Sequence, residues 1–127
     1  MLIVGELINT SRKAVKPAVE KRDAAFVQKE KVQAPLCIDS PNPQAVEVGL
    51  SLAKYGQPML NSITAEKQRF TDLLPLVVKY QAKIVGLCMD DSGMPETAED
   101  RLRIAHKLIR DLTDAGIPLQ RKNSGLR

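Results

Sequence analysis

The sequence predicts a parallel α/β fold, and three observations carry that expectation. Four short apolar runs, at residues 2–6, 36–39, 58–61 and 83–90, are rich in Leu, Ile, Val and Cys and too short for core helices. Longer stretches of helical periodicity separate them. Helix start and stop signals fall in those longer stretches rather than in the runs. Strands alternating with helices make βαβ units, here in the order β-α-β-α-β-α-β-α.

Each element has its own signal. After the first strand a helical pattern begins at Thr10 or Ser11, is interrupted by Pro17, and restarts at Asp23 to run through Lys31. The second strand leads to Asn42-Pro43, an N-cap followed by proline at the first helical position, and Gly56 closes that helix after Tyr55. After the third strand Thr64 caps a helix with Phe70, Leu73, Leu74, Val77 and Val78 on its inner face. Pro75 is expected to kink or restart this helix, because it lacks the donor its turn requires. After the fourth strand Thr97 and Asp100 resemble a capping box, and Gly116 ends the helix. Leu102, Ala105, Leu108, Ile109 and Leu112 give it a buried stripe.

Composition narrows the function classes. A chain of 127 residues, 43% apolar and 27% charged, has the length of one domain with its own core. Aromatics are 3% with no Trp, so the core is aliphatic and a base-stacking platform is excluded. No apolar run reaches the ~20 residues of a membrane span. The opening Met1-Leu2-Ile3-Val4-Gly5 meets Glu6 without a basic lead-in, unlike a signal peptide, so a cytoplasmic protein is expected. The net charge of +4 sits at the ends, and the stretch from Ala34 to Pro118 is mildly acidic. Nucleic acid, which needs a cationic stripe on one folded face, is not an expected partner. Cys37 and Cys88 lie in apolar runs with no CxxC spacing and read as buried, reduced thiols. His106, the sole histidine, flanks Ala105 on the third helix and reads as a solvated helix residue, unpartnered for a Ser-His-Asp set or a metal cluster. Gly5, Gly86 and Gly93 have no phosphate-loop spacing.

The candidate site comes from the strand ends. Glu6, Asp39, Asn61 and Asp90 each close a run, and period-two alternation pairs them with Val4, Cys37, Met59 and Cys88 on one face. In parallel α/β sheets ligands bind at the carboxyl ends of strands. A carboxylate suits a donor–donor edge such as a ring N–H beside an amino group, and an amide serves donor and acceptor edges alike. Such a rim is built to hold a flat heterocycle.

Four segments taken together resemble a known family. They are Met1-Leu2-Ile3-Val4-Gly5-Glu6-Leu7-Ile8-Asn9, Leu36-Cys37-Ile38-Asp39-Ser40, Met59-Leu60-Asn61-Ser62 and Gly86-Leu87-Cys88-Met89-Asp90-Asp91-Ser92-Gly93. They are similar to signatures of pterin-binding methyltransferases, above all the methyltetrahydrofolate:corrinoid/iron-sulfur protein methyltransferases. The pterin domain of cobalamin-dependent methionine synthase is a relative, and dihydropteroate synthase a more distant one. The resemblance implies a TIM barrel whose rim holds the pterin while the N5-methyl group passes to the Co(I) of a docked corrinoid protein. It places Asp39 and Asn61 on pterin-bonding positions, with Glu6, Asn9, Ser62 and Asp90 lining the same mouth. Methyltetrahydrofolate is then the methyl donor, cobalamin or another corrinoid rides on the partner, and no protein-bound metal is expected.

Two departures from the family shape the expectation. A strand carrying an Asp-x-Asn pair at the rim is missing between Gln28 and Val32, and the tail after Leu119 has no strand pattern. The later strand that carries the family's N5-assisting asparagine has no counterpart. A (β/α)8 barrel takes ~200–250 residues. The expected fold is therefore a partial (β/α)8 TIM barrel of about four βα units with parallel strands, over residues 1–119, followed by an irregular tail at 120–127. Exposed sheet edges invite pairing, so a homodimer is expected. The alternative to a methyltransferase is a non-catalytic half-barrel interaction module.

Overall fold

The computed structural model describes residues 2–3, 33–118 and 122–123. The helical pattern expected between Thr10 and Lys31, and the candidate residues Glu6 and Asn9, lie outside them. Five strands form one sheet: β1 (Leu2–Ile3), β2 (Leu36–Ile38), β3 (Met59–Thr64), β4 (Lys83–Leu87) and β5 (Lys122–Asn123). Three helices connect them, α1 (Pro43–Ser51), α2 (Lys67–Lys79) and α3 (Ala98–Asp114).

All neighbouring strands are parallel and follow chain order, β1-β2-β3-β4-β5. A doubly wound sheet reverses its strand order at a switch point, and this sheet does not. Strictly sequential order is the order that strands take in a (β/α)8 barrel, and the sheet is consistent with part of one. Ile38 pairs with Leu60 and Leu60 with Ile84, so these residues share one face. With Leu36 they join Val46 and Leu50 of α1, Leu73 and Val77 of α2, and Ile104, Leu108 and Leu112 of α3 in one core. The three helices thus cover the same side. Each fully buried Leu or Ile there contributes about 1.5–3 kcal/mol. Helix α1 approaches so closely that a Cβ on Gly49 would sit 2.9 Å from Cδ1 of Ile38.

The helix ends follow their residues. Asn42 Oδ1 accepts from the N–H groups of Gln44 (2.9 Å) and Ala45 (3.3 Å), with Pro43 at the first helical position, as the sequence predicts. Thr97 accepts from Asp100 N at 3.1 Å, and its hydroxyl donates to the Asp100 carboxylate at 2.9 Å. Gly116, at φ +81°, ends α3 in a Schellman motif: its N–H reaches the Thr113 carbonyl, and that of Ile117 reaches Leu112. Ile117 and Leu112 are both buried beneath it.

Five expectations need correction. Helix α1 stops at Ser51, not at Gly56, which instead takes a positive φ in the following turn. Thr64 belongs to β3, and α2 starts after Glu66; the Asp91 carboxylate accepts the Lys67 N–H from across the rim at 3.1 Å. Helix α2 passes through Pro75, which is exposed, without a break. Val78 and Leu102 are 49% and 57% exposed, and Ile104 takes the place in the α3 stripe that Leu102 was expected to fill. Finally, Lys122–Asn123 pair with Ile84 and Val85 of β4, although the tail shows no strand pattern. A two-residue ladder is held by backbone groups, and a charged edge residue suits it, so hydrophobic alternation is not required.

Candidate functional site

Asp39 directly follows β2, whereas Asn61, expected to close its strand, lies within β3, which runs on to Thr64; the register still brings the two side by side. Cys37 pairs with Met59 and Ile38 with Leu60, so one further step sets Asp39 level with Asn61. Adjacent strands are ~4.8 Å apart, a spacing that one bicyclic ring spans. Both residues are half-buried. They continue the sheet face that carries Cys37 and Met59, away from the helices. Asp39 acts on that face: burial raises the Cys37 thiol pKa, and the Asp39 charge raises it further. Among the described residues neither the Asp39 carboxylate nor the Asn61 amide has a side-chain hydrogen bond.

Ser62 follows Asn61 at an irregularity. The register shifts between Asn61, opposite Val85, and Ile63, opposite Gly86, so β3 carries one extra residue there. The bulge returns Ile63 to the helix side, where it is fully buried, and leaves Ser62 half-buried at the rim. Bulges of this kind re-aim side chains beside binding sites.

Asp90, unlike this pair, is engaged by other side chains. Its carboxylate accepts from the Ser92 N–H (3.0 Å) and hydroxyl, and Arg103 of α3 reaches it at 3.4 Å. The Ser92 hydrogen bonds hold its pKa below the usual carboxylate range, with Arg103 assisting. The alternation argument also grouped Cys88 with Cys37 and Met59, and the register corrects that. Val85 lies opposite Asn61, whereas Cys88 is 1% exposed in the core under the helices. Which face a strand turns inward depends on its register with a neighbour, and no single strand's sequence carries that information.

Arg69, on the first turn of α2, is the rim residue that sequence reasoning missed. Its guanidinium donates to the carbonyls of Ser62 (2.8 Å), Pro41 (3.3 Å) and Ser40 (3.4 Å). Burial lowers its pKa, while the charges of Glu66 and Asp39 act to raise it. Glu66 is held in turn by the Thr64 hydroxyl at 2.8 Å. No periodicity or motif marks Arg69, since its partners are main-chain atoms of other segments. Outside this network an open cleft of about 370 Å³ is lined by Arg69, Glu66, Asp91 and Pro41 among others. A second cleft of about 450 Å³ lies between Cys88 and the start of α3. Asp39 and Asn61 line neither.

Comparison with known proteins matches residues 8–121 to the family described as pterin binding enzyme. The chain is 25% identical over 149 residues to the methylcorrinoid:tetrahydrofolate methyltransferase of Eubacterium limosum, covering 87% of this chain and 55% of that protein. It is 31% identical over 84 residues to the methionine synthase of Mycobacterium tuberculosis, and 30% identical over 84 to that of Mycobacterium leprae. Each of these covers 62% of this chain and 7% of the relative. The chain thus spans about half the length of the first relative and a small part of the other two. The first comparison runs over more positions than this chain has residues, so part of the relative has no counterpart here. The direct pairing of β1 with β2 fits a strand lost from between them. A parallel sheet in chain order, helices on one side, and a match running from residue 8 to 121 place this chain in the family of pterin-binding enzymes.

Proposed function

We propose that this chain binds the pterin headgroup of a folate and takes part in methyl exchange between the N5 position and a corrinoid protein. The observation that carries the proposal is that the register sets Asp39, just past the end of β2, level with Asn61 within β3, on a common face and without side-chain hydrogen bonds to the described residues. The Asp39 carboxylate suits the ring N–H and amino group of the pterin. The Asn61 amide, able to donate and accept, suits the neighbouring polar atoms. Ser62 adds a hydroxyl at the same rim, and Glu6 and Asn9 are proposed to line it as well.

The corrinoid would belong to a partner protein, where its cobalt supplies or accepts the methyl group. The name of the E. limosum relative gives the direction from methylcorrinoid to tetrahydrofolate, the reverse of the direction expected from the sequence. One site serves both directions, since forward and reverse transfer share a transition state. What this chain's residues do is hold the ring flat and in register, so that N5 faces the partner. Removing a methyl group from N5 requires a proton or hydrogen-bond donor at that atom, a contribution of ~10²–10⁴-fold.

Isothermal titration of the chain with methyltetrahydrofolate tests the proposal. Saturable heat is expected, and no heat at millimolar ligand would overturn it. The competing view, a non-catalytic half-barrel module, is favoured by the direct pairing of β1 with β2. It predicts no methylcobalamin when the chain is mixed with methyltetrahydrofolate and Co(I) corrinoid, whereas a pterin methyltransferase forms it above background. Pairing of two copies, proposed from the exposed sheet edges, is read by light scattering as twice the chain mass of 14.0 kDa.

A further inference from the structure

We propose that Arg69 is a positioning residue that sets the separation of Asp39 and Asn61 by tying the loop after β2 to the bulge within β3. The inference rests on the pterin-binding role proposed for that pair. The carbonyls that Arg69 grips are placed to do this. Ser40 follows Asp39 directly, and Ser62 follows Asn61 directly; one guanidinium nitrogen donates to both, at 3.4 and 2.8 Å, while the other reaches Pro41 at 3.3 Å. A planar fork with five donors can span two segments in one fixed geometry, which an ammonium on a flexible stem cannot.

The helix gains nothing from an arginine there. Arg69 is the third residue of α2, where the partial positive charge of the helix end disfavours a cation. It is also half-buried, so its charge is partly desolvated. Glu66 and Asp39 offset part of that cost through their fields. The remaining reason for an arginine at this position is the set of carbonyls it binds.

The rest of the loop after β2 is already fixed on its other side. Ser40 is 3% exposed, its hydroxyl accepts from Asn42 N at 3.2 Å, and Asn42 caps α1. Arg69 supplies the link from that fixed loop to the bulge at Ser62. A two-point grip on a rigid ring tolerates errors of only about half an ångström, so the link controls affinity without touching the ligand.

The test uses the full chain, wild type and with Arg69→Met or Arg69→Lys. Titrations are made with methyltetrahydrofolate and with a tetrahydropterin lacking the aminobenzoyl-glutamate tail, alongside thermal melts. Both variants should weaken both ligands by the same factor, roughly tenfold, with millimolar guanidinium restoring part of the loss in Arg69→Met. Unchanged affinity in a folded variant would overturn the inference. So would a loss confined to the tail-bearing ligand, which would make Arg69 a direct contact through the cleft beside it. If Arg69→Met does not fold, Arg69→Lys alone decides, because it keeps the charge and loses the two-segment span.

Amide hydrogen exchange gives a readout independent of ligand. Protection should fall at residues 40–42 and 62–64 in both variants while α3 is unchanged, and identical exchange in those segments would refute the link. Wild-type chain that binds neither pterin would instead count against the proposed function, with the exchange result still deciding the role of Arg69.

Discussion

Replacing Asp39 by Asn separates what this residue does for the fold from what it does for a ligand. The substitution keeps shape and volume and removes only the charge. Among the described residues the carboxylate accepts no hydrogen bond, so the fold loses chiefly its field on Arg69, and Glu66 still supplies a neighbouring negative charge. An electrostatic contact of that exposure is worth at most ~1 kcal/mol. A carboxylate gripping the donor–donor edge of a pterin stands to lose more. Hydrogen bonds to a charged group contribute ~1.5–3 kcal/mol, equal to about 10- to 150-fold in the dissociation constant. Titration calorimetry with methyltetrahydrofolate, run beside thermal melts of the same samples, measures both quantities. Asp39→Asn should melt close to the wild type and bind at least about tenfold more weakly. Equal affinity in a variant that melts like the wild type would remove Asp39 from the site and take the proposed function's main support with it.

Other predictions concern the scaffold. Gly49→Ala should destabilise the chain: the added Cβ meets three side-chain atoms of Ile38 at 2.9 to 3.1 Å, and Ile38, 1% exposed, has nowhere to move. Overpacking of ~1–3 kcal/mol exceeds the ~1 kcal/mol gained in helix propensity, and a denaturant midpoint at or above that of the wild type would refute the close packing of α1 on β2. Gln81→Gly should stabilise by about 1 kcal/mol, because Gln81 holds φ +50° where α2 ends; urea unfolding checks it. Acid should destabilise the fold through Glu47, Asp90 and Asp111, whose pKa values are lowered by hydrogen bonds from Lys79, Ser92 and Lys107 respectively. Since their folded pKa values lie below the unfolded ones, the stabilisation is complete above the unfolded values near pH ~4 and is lost as pH falls through the folded ones. Asp90→Asn should flatten that acid limb in melts recorded against pH, and an unchanged slope would exclude a contribution from Asp90.

Much of the scaffold was legible in the chain. Asn42-Pro43 and the Thr97–Asp100 pair predicted where α1 and α3 begin, because caps are local: the side chain that closes the helix lies within three residues of the amide it satisfies. Gly116 predicted where α3 ends for the same reason. Gly56 misled, since a positive φ serves a turn after a helix as readily as its last cap. Pro75 misled too, because an exposed position in an otherwise packed helix tolerates one missing bond. Asp39 and Asn61 are candidates by their place at the ends of apolar runs, and the register sets them level with each other.

The sequence by itself determined the alternation of strand and helix, the caps of α1 and α3 and the aliphatic core, because all of these are encoded within one element. Only the tertiary structure decided that Cys88 turns to the helices, that Asp91 caps α2 and Asp90 pairs with Arg103, and that Arg69 joins the loop after β2 to the bulge in β3. Each of those depends on the relative register of separate strands or on a side chain reaching main-chain atoms 7 to 29 residues away. Contacts of that kind leave no periodic trace in the chain, since a carbonyl oxygen is the same at every residue and only folding decides which ones face a guanidinium.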